Sequence, residues 1–268
     1  MARLIDGEPP VGDALAPVLP LRIGATRPPL FVLPPASGLT WQFAALKRHL
    51  PADIPLYGLQ APRFSRTTEL PTTLAALAAE HIEHITRIAP DGPIRLLGWS
   101  FGGSLAHELA IRLAAAGRDV GFVGMLDAYL DTPSADGPAD GDLAGLLTEL
   151  GYPPPSANPT LGEAVAILRG ADGIAAALTD DQVAAVVANY VESDRMVAQA
   201  RPGVLAADVF FVEATVPEQG FSGSAAAGWT PYVRGTLRVV PVACGHSEML
   251  DPAVLVALGP LIADALGS

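Results

Sequence analysis

The chain has 268 residues, of which 50% are hydrophobic, and a formal net charge of -12 at pH 7. This acidic balance argues against a nucleic-acid or anionic-membrane surface, and the length suits one large domain, with or without an insertion. The single cysteine, Cys244, excludes an internal disulfide and fits a reducing compartment. Residues 1–20 show no signal-peptide pattern, and no stretch of about eighteen uncharged apolar residues appears. We therefore expect a cytoplasmic protein without a membrane span.

Strand and helix patterns alternate along the chain. Residues 1–29 are rich in proline, glycine and alanine, which predicts a linker followed by a first strand. Apolar runs predict strands at Val18–Ile23, Leu30–Leu33, Ile54–Leu59, Ile94–Gly98, Gly121–Leu126, Asp208–Glu213 and Gly235–Val242. Helical spacing predicts helices at Thr40–Leu50, Leu70–Ile88, Phe101–Ala116, Leu143–Leu150 and Glu163–Leu168, and from Thr179 and Asp251 onwards. The alternation predicts an α/β fold with a mostly parallel central sheet and helices on both faces.

Residues 131–203 differ from the rest of the chain. They begin with a stretch rich in proline and aspartate and continue with short amphipathic helices. We interpret 30–130 and 204–268 as the core and 131–203 as an insertion. Thr179 and Gln182 form a capping-box pattern at the start of its longest helix. The insertion fits two interpretations at this point, a helical elaboration that packs on the core or a mobile lid.

A G-x-S-x-G motif lies at 98–102, which reads GWSFG. It follows an apolar run and precedes a helical pattern, as a nucleophile elbow requires: a strand ends, the backbone turns sharply, and a serine stands at the tip. Gly98 and Gly102 lack a Cβ, so the strand and the helix can pass close to the turn. This context favours Ser100 as a nucleophile over a surface serine in a glycine-rich turn.

An acyl-transfer serine needs a base, and histidine suits that role near neutral pH. Four histidines lie in predicted helices and are interpreted as surface or partly buried helix residues, namely His49, His81, His84 and His107. His246 instead follows the last predicted strand, and ligands of open parallel sheets bind at the carboxyl ends of strands. Ser100 lies at such an end too, so His246 is the predicted base.

The acid of the site has three candidates. Asp127 ends the strand after the elbow helix, and α/β-hydrolases order their triad as nucleophile, acid and histidine. Asp127 is therefore preferred on topology, since the acid must orient the imidazole and stabilise its cation. Glu213, at the end of the following strand, is the runner-up, and Asp131 lies nearby in the proline-rich stretch.

Two backbone N–H groups are predicted to form an oxyanion hole. One belongs to Phe101, the residue after the nucleophile, and the other lies in the turn after an early strand. Pro35 has no N–H, so Ala36 is the best donor of that turn. Ser37 lacks the strand–turn–helix frame of a nucleophile, and Cys244 is interpreted as a small buried hydrophobe. No metal-ligand spacing, phosphate-binding loop or dinucleotide fingerprint appears.

Together these motifs resemble the terminal thioesterase domains of nonribosomal peptide synthetases, within the α/β-hydrolase superfamily. The likeness covers nearly the whole chain and is carried by Val18–Arg22, Pro29–Phe31, Pro35–Gly38, Leu97–Gly103, Leu126–Ala128 and Gly245–His246. In that family the acid follows the strand after the elbow helix, which agrees with Asp127 and against Glu213. The family also inserts a helical lid between that strand and the next, which matches 131–203.

The resemblance implies a serine thioesterase that acts on a peptidyl or depsipeptidyl chain. A peptidyl or acyl carrier protein domain would deliver this small-molecule substrate as a phosphopantetheine thioester. Ser100 would take the chain as an oxyester, with His246 first as base and then as acid. Water would release a free acid, and an internal amine or hydroxyl would release a macrocycle, in some members after oligomerisation. We expect no tightly bound cofactor, no metal and no nucleic acid, and a monomer for the excised domain.

Three other functions remain open from the sequence. A stand-alone editing thioesterase would clear misacylated carrier proteins, and a general carboxylesterase or lipase would not need a carrier. A non-catalytic binding module with this fold would make no covalent adduct. The presence of Ser100, Asp127 and His246 together argues against the last of these.

Overall fold

The strands of the computed structural model form one sheet. The structure describes residues 14–24, 26–130, 143–170, 178–218 and 224–267. Within these ranges the strands are β1 (Val18–Arg22), β2 (Leu30–Leu33), β3 (Leu56–Leu59), β4 (Ile94–Trp99), β5 (Val120–Leu126), β6 (Val209–Ala214) and β7 (Leu237–Val242). Their spatial order is β1-β3-β2-β4-β5-β6-β7, with β1 antiparallel to β3 and every other pair parallel.

Helices connect most of the strands. They are α1 (Leu74–Ile88), α2 (Phe101–Ala115), α3 (Leu143–Glu149), α4 (Leu161–Gly170), α5 (Asp180–Gln199), α6 (Ala225–Trp229) and α7 (Pro252–Ala265). Short 3-10 helices occupy Trp41–Arg48, Pro62–Phe64 and Thr230–Tyr232. The helices lie on both sides of the sheet, as the alternating pattern predicts.

Each face of the sheet carries its own apolar cluster. Successive strand side chains point to opposite faces, so Leu96 of β4 packs with α1 and α2 while its neighbour Leu97 packs in a second cluster. That second cluster includes Trp99 of β4 and Leu258 of α7. Parallel strands that are buried on both faces read as continuous apolar runs, and β4 is such a strand. The elbow is therefore anchored at the centre of the core.

A third cluster belongs to the helices between β5 and β6. It joins Leu146 of α3, Leu168 of α4 and Val186 of α5, and it includes Leu15 and Leu39 from outside these helices. Met196 and Val197 of α5 belong instead to the first cluster, with α1 and α2. These helices thus have a small core of their own on top of the sheet edge. The predicted capping box at the start of α5 is confirmed: the Gln182 N–H donates to Thr179 Oγ1 over 3.3 Å, and the Thr179 N–H donates to Gln182 Oε1 over 2.8 Å.

Several predicted boundaries are wrong. The helix predicted at Thr40–Leu50 is a 3-10 helix, and its N-cap makes no side-chain hydrogen bond. The helix predicted from Leu70 begins at Leu74, because Thr73 is extended and its hydroxyl caps the Ala76 N–H at 3.1 Å. Asp251, the predicted cap of the last helix, makes no capping bond.

The sequence also failed to indicate one strand start, one short helix and the burial of two histidines. Strand β3 begins at Leu56 rather than Ile54, and α6 carries no apolar period long enough to predict it. His81 and His107 are buried, not surface residues: His81 is one of the buried positions of α1, and His107 of α2 lies against the Trp229 ring and the Tyr232 carbonyl. Residues 1–13, in the predicted linker, and Asp131 lie outside the described residues.

Candidate active site

Ser100 stands alone between a strand and a helix. Strand β4 ends at Trp99 and α2 begins at Phe101, and Ser100 has φ 56° and ψ -124°. A non-glycine residue in this region of φ is strained and persists only where its surroundings enforce it. Here the Ser100 N–H donates to the Leu126 carbonyl over 2.9 Å, and the Gly103 N–H donates to the Ser100 carbonyl over 2.9 Å. The strand and helix therefore hold the side chain at the tip of the turn.

The glycines of the elbow have no room for a side chain. A Cβ at Gly98 would lie 1.9 Å from the Gly102 carbonyl oxygen, and a Cβ at Gly102 would lie 2.7 Å from the Leu33 carbonyl oxygen. The second approach involves the end of β2, so it brings the turn after β2 against the start of α2. The two glycines thus set the distance between the elbow and the turn that holds Ala36.

Asp127 lies one residue beyond the end of β5. Its φ is 45°, its N–H donates to the Val212 carbonyl over 2.7 Å, and its side chain is fully buried. One carboxylate oxygen, Oδ1, accepts from the Ala214 N–H at 2.9 Å. The other, Oδ2, lies 2.8 Å from His246 Nδ1. The end of β6 therefore orients the carboxylate toward the histidine.

His246 connects the acid and the serine. Its Nε2 lies 3.1 Å from Ser100 Oγ. Because an ionised carboxylate only accepts, a proton on Nδ1 is the arrangement that satisfies the contact with Asp127, which leaves Nε2 free to accept from the serine hydroxyl. The Trp99 indole N–H donates to the His246 carbonyl over 3.1 Å and fixes the backbone of this loop. The His246 and Asp127 side chains are both buried, so their contact is shielded from water, whereas Ser100 is partly exposed.

The alternative residues have other partners. Glu213 Oε1 accepts from Ser224 Oγ at 2.7 Å and from the Ala226 N–H at 3.1 Å, so it caps the short helix α6. Cys244 is buried, and desolvation raises the pKa of its thiol to about 11, which keeps it protonated near neutral pH. Ser37 is fully buried and is hydrogen-bonded within its own turn, where its hydroxyl oxygen accepts from the Leu39 N–H at 3.4 Å.

The predicted oxyanion donors lie on two adjoining elements. Phe101 is the first residue of α2, where an amide has no partner inside the helix. Ala36 lies in the turn 34–38, which is closed by the Gly38 N–H donating to the Pro35 carbonyl over 3.0 Å. Both residues are buried. The helix N-terminus also places positive partial charge beside Ser100, where negative charge would develop.

The helices α3 and α5 touch the turn 34–38 with polar side chains that the sequence did not single out. Ser193 Oγ donates to the Ala36 carbonyl over 3.1 Å, and the Ser37 N–H donates to Glu149 Oε1 over 2.9 Å. A cavity of about 30 Å³ beside Phe101 is lined by residues of this turn and of α5, including Asn189. The signal in the sequence that could have indicated this contact is one acidic residue, Glu149, in the leucine-rich segment 146–150.

The described residues were also searched for metal-ligand groups and for membrane-spanning helices. Within the five described ranges, no group of three or more histidine, cysteine, aspartate or glutamate side chains is placed to bind a metal ion. None of the described helices has the length and apolar character needed to cross a membrane.

The fold and the site together define a class. A mostly parallel sheet with a serine elbow after β4, an aspartate after β5 and a histidine after β7 is the α/β-hydrolase arrangement. The family model described as "Thioesterase domain" matches residues 28–261. The chain belongs to this thioesterase domain family, and its fold is the α/β-hydrolase fold.

The curated relatives are large synthetases. The chain is 36% identical over 262 residues to a dimodular nonribosomal peptide synthase of Bacillus subtilis (strain 168), covering 94% of this chain and 11% of that protein. It is 30% identical over 251 residues to enterobactin synthase component F of Escherichia coli (strain K12), covering 91% of this chain and 18% of that protein. The chain therefore spans less than a fifth of the length of either relative.

Solved thioesterase domains have the same fold. The NocB thioesterase domain, in covalent complex with a fluorophosphonate nocardicin G analogue, aligns with a TM-score of 0.67 at 26% identity, over 91% of this chain and 96% of that one. The thioesterase domain described for cyclization of the lipopeptide surfactin aligns with a TM-score of 0.63 at 19% identity, over 96% of this chain and 98% of that one.

Proposed function

We propose that the chain is a serine thioesterase domain that releases a peptidyl or depsipeptidyl chain from a carrier protein through an acyl-enzyme on Ser100. The observation that carries the proposal is the continuous hydrogen-bond chain from Asp127 Oδ2 through His246 to Ser100 Oγ, at 2.8 and 3.1 Å. The similarity to regions of peptide synthetases supports the carrier-bound substrate. Phosphopantetheine would be part of that substrate.

The first step is acylation of the serine. His246 Nε2 accepts the Ser100 proton while Oγ attacks the thioester carbonyl, and the carbonyl oxygen becomes an oxyanion. The N–H groups of Ala36 and Phe101 stabilise it, and each such donor contributes about 10²–10³ in rate. As the tetrahedral intermediate collapses, the C–S bond breaks and the protonated histidine gives its proton to the departing pantetheine thiolate.

The second step releases the chain and regenerates Ser100. Either water or an amine or hydroxyl of the chain itself gives up a proton to His246 and attacks the acyl-enzyme carbonyl. As this second tetrahedral intermediate collapses, the ester C–O bond breaks and His246 returns the proton to Ser100 Oγ, so the product is an acid or a macrocycle. We propose that 131–203 act as a lid that influences this choice by limiting the access of water. Contacts of α3 and α5 with the turn 34–38 support a lid that lies close to Ser100.

Covalent labelling tests the nucleophile. A fluorophosphonate should label Ser100 in the intact chain, and His246→Ala should abolish most of the labelling, because the hydroxyl loses its base. Ser100→Ala should lower thioester turnover by about 10⁴-fold or more. Ser104→Ala is the matched control, since this buried hydroxyl lies one turn further along α2 and makes no hydrogen bond among the described residues. If the fluorophosphonate did not label Ser100, the proposal of a serine enzyme would be rejected in favour of a non-catalytic binding module.

Product analysis tests the substrate class. Peptidyl thioesters of N-acetylcysteamine and of a carrier domain are compared by mass spectrometry, and the carrier-bound peptidyl chain should be released faster. Release of only short acyl groups would indicate an editing thioesterase, and equal rates with and without a carrier would indicate a general carboxylesterase. Only linear acid at every chain length would leave hydrolysis as the second step.

A further inference from the structure

Two backbone hydrogen bonds within the loop that contains His246 are long. The loop lies between β7 and α7. The Glu248 N–H donates to the Gly245 carbonyl over 3.3 Å. The Met249 N–H donates to the His246 carbonyl over 3.4 Å. Both distances exceed the usual length of a backbone hydrogen bond, so these bonds are weak. Contacts with other elements are therefore needed to fix the orientation of the imidazole.

Two side chains from other elements bind opposite sides of the peptide group between His246 and Ser247. The Trp99 indole N–H donates to the His246 carbonyl over 3.1 Å. On the other side, the Ser247 N–H donates to Glu218 Oε2 over 2.9 Å. A peptide group is planar, so one partner on each side fixes the orientation of its plane. Because Trp99 directly precedes Ser100, the backbone of His246 is held in a defined position relative to the nucleophile.

Glu218 reaches this loop because the chain continues to pair with it beyond the end of β6. The Thr215 N–H donates to the Val242 carbonyl over 2.9 Å, and the Val216 N–H donates to the Cys244 carbonyl over 3.0 Å. Glu218 follows two residues later, alongside the next part of the loop. Its bond to the loop has an ionised acceptor, and such bonds are roughly twice as strong as bonds between neutral groups. Glu218 is therefore a strong contact between the loop and the sheet.

Gly245 allows the Glu218 carboxylate to approach the loop. A Cβ at Gly245 would lie 2.7 Å from Glu218 Oε2, which is too close, and 3.5 Å from Glu248 Oε2, which is an ordinary contact. Gly245 does not have a positive φ, so its backbone conformation is open to other residues. An alanine at this position would therefore conflict mainly with the Glu218 carboxylate. Because a carboxylate is the end of a flexible side chain, it would move away and lose its bond to Ser247.

We propose that Glu218 is a positioning residue for the catalytic histidine. By accepting from the Ser247 N–H, it holds the 246–247 peptide group in the orientation that brings His246 Nε2 within 3.1 Å of Ser100 Oγ. It acts through the histidine and not on the substrate. A displacement of about 1 Å in a catalytic group can lower a rate by about 100-fold. The inference rests on the proposed function, since His246 is the base only if Ser100 is the nucleophile.

The test compares Glu218→Ala and Glu218→Gln with the parent chain on the acetyl thioester of N-acetylcysteamine. Alanine removes the acceptor, so kcat should fall by about 10- to 100-fold, while KM should change by less than about twofold because the substrate contacts remain. Glutamine keeps an acceptor oxygen and should keep kcat within about threefold of the parent. Glu213→Ala is the matched control with parental kcat, because this carboxylate of β6 caps α6 instead.

Proton NMR distinguishes positioning of the histidine from a general loss of stability. In the parent, the proton between His246 Nδ1 and Asp127 should give a low-field resonance, which is assigned by its disappearance in His246→Ala. Glu218→Ala should broaden or shift this resonance, because the histidine is no longer held against the carboxylate. Glu218→Gln and Glu213→Ala should retain it. A Glu218→Ala variant that lost activity but kept the resonance unchanged would overturn the proposal.

Gly245→Ala gives an independent test in which Glu218 stays in the chain. Its methyl group should displace the carboxylate, so kcat should fall as in Glu218→Ala. In the double variant, Glu218→Ala with Gly245→Ala, the methyl group has no Glu218 carboxylate to displace. The two losses should therefore not add. Additive losses would overturn the proposal, because they would show that the two positions act separately.

The remaining outcomes distinguish this inference from the proposed function. Parental kcat in either Glu218→Ala or Gly245→Ala would overturn the positioning role. Equal losses in Glu218→Ala and Glu218→Gln would overturn it too, since they would indicate the charge of the carboxylate and not its hydrogen bond. A parent that reacts no faster than Ser100→Ala would instead reject the proposed function.

Discussion

The elbow and the helical insertion are held in place by different forces. At the elbow, backbone contacts define the geometry: Gly98 has no space for a Cβ, and Ser100 and Asp127 both adopt positive φ. The insertion is held by side-chain packing: it has its own apolar cluster, its helix α5 adds Met196 and Val197 to the core cluster, and Glu149 and Ser193 each make one hydrogen bond to the turn 34–38. Backbone geometry tolerates almost no substitution, whereas a side-chain hydrogen bond contributes only about 1 kcal/mol. The catalytic elbow is therefore expected to be rigid, and the helical insertion is expected to move more easily.

The largest effect is expected at the acid. Asp127→Asn should lower kcat by about 10⁴-fold, because an amide holds the histidine in the wrong tautomer while the geometry is kept. Glu213→Gln should leave turnover nearly unchanged, since the Glu213 carboxylate accepts from Ser224 Oγ and the Ala226 N–H and so caps α6. Steady-state hydrolysis of a peptidyl thioester measures both. If the Glu213 variant lost as much activity as the Asp127 variant, the assignment of the acid would be wrong.

The second prediction contrasts a glycine in each region. Gly98→Ala places a Cβ 1.9 Å from the Gly102 carbonyl oxygen, so it should destabilise the fold by more than about 4 kcal/mol or prevent folding. Gly162→Ala in α4 meets its first neighbouring atom only at 4.0 Å and should change stability by less than about 1 kcal/mol. Thermal and urea unfolding measure the two. Equal costs would contradict the contrast between the rigid elbow and the adaptable insertion.

The two regions should respond to pH with opposite signs. Burial lowers the pKa of His81, in the core, to about 4 from its ordinary 6.5. The unfolded chain therefore binds a proton first, and the core loses on the order of 3 kcal/mol as the pH falls from 6.5 to 4. The pKa of Glu149 is raised to about 7, so its stabilising contribution is present below about 4.5 and is lost as the pH rises toward 7.

Urea unfolding between about pH 4 and about pH 7 measures both contributions to the free energy of unfolding. His81→Leu should reduce the loss of stability as the pH falls from about 6.5 to about 4, and Glu149→Gln should reduce the loss of stability as the pH rises from about 4.5 to about 7. If His81→Leu lost as much stability at acid pH as the parent, the loss would be due to other buried histidines. His107 is one of these, since burial lowers its pKa too.

The smallest effects concern two matched helix caps. Thr73 caps α1 in the core through the Ala76 N–H, and Thr179 caps α5 in the insertion through the Gln182 N–H. Each change to alanine should cost about 1 kcal/mol. Thr73→Ala should lower the free energy of global unfolding, and Thr179→Ala should mainly increase hydrogen exchange in α5. If Thr179→Ala lowered global stability as much as Thr73→Ala, the insertion would unfold together with the core.

Local rules account for the parts of the molecule that the sequence predicted well. The order of strands and helices follows from apolar periodicity, and the elbow follows from two glycines around a serine between a strand and a helix. Asp127 and His246 were expected at one sheet edge because both follow parallel strands, and the structure places them 2.8 Å apart. Boundaries such as the start of α1 were less accurate, since a capping hydroxyl, Thr73, outweighed helical spacing.

What the sequence alone determined is the set of chemical groups and the sheet edge where they meet, since both depend on short segments with recognisable patterns. Only the tertiary structure showed that Asp127 Oδ1 is held by the Ala214 N–H, and that Glu149 reaches the turn beside Ala36. No local pattern encodes these contacts, because each partner is distant in the chain and is brought close by packing.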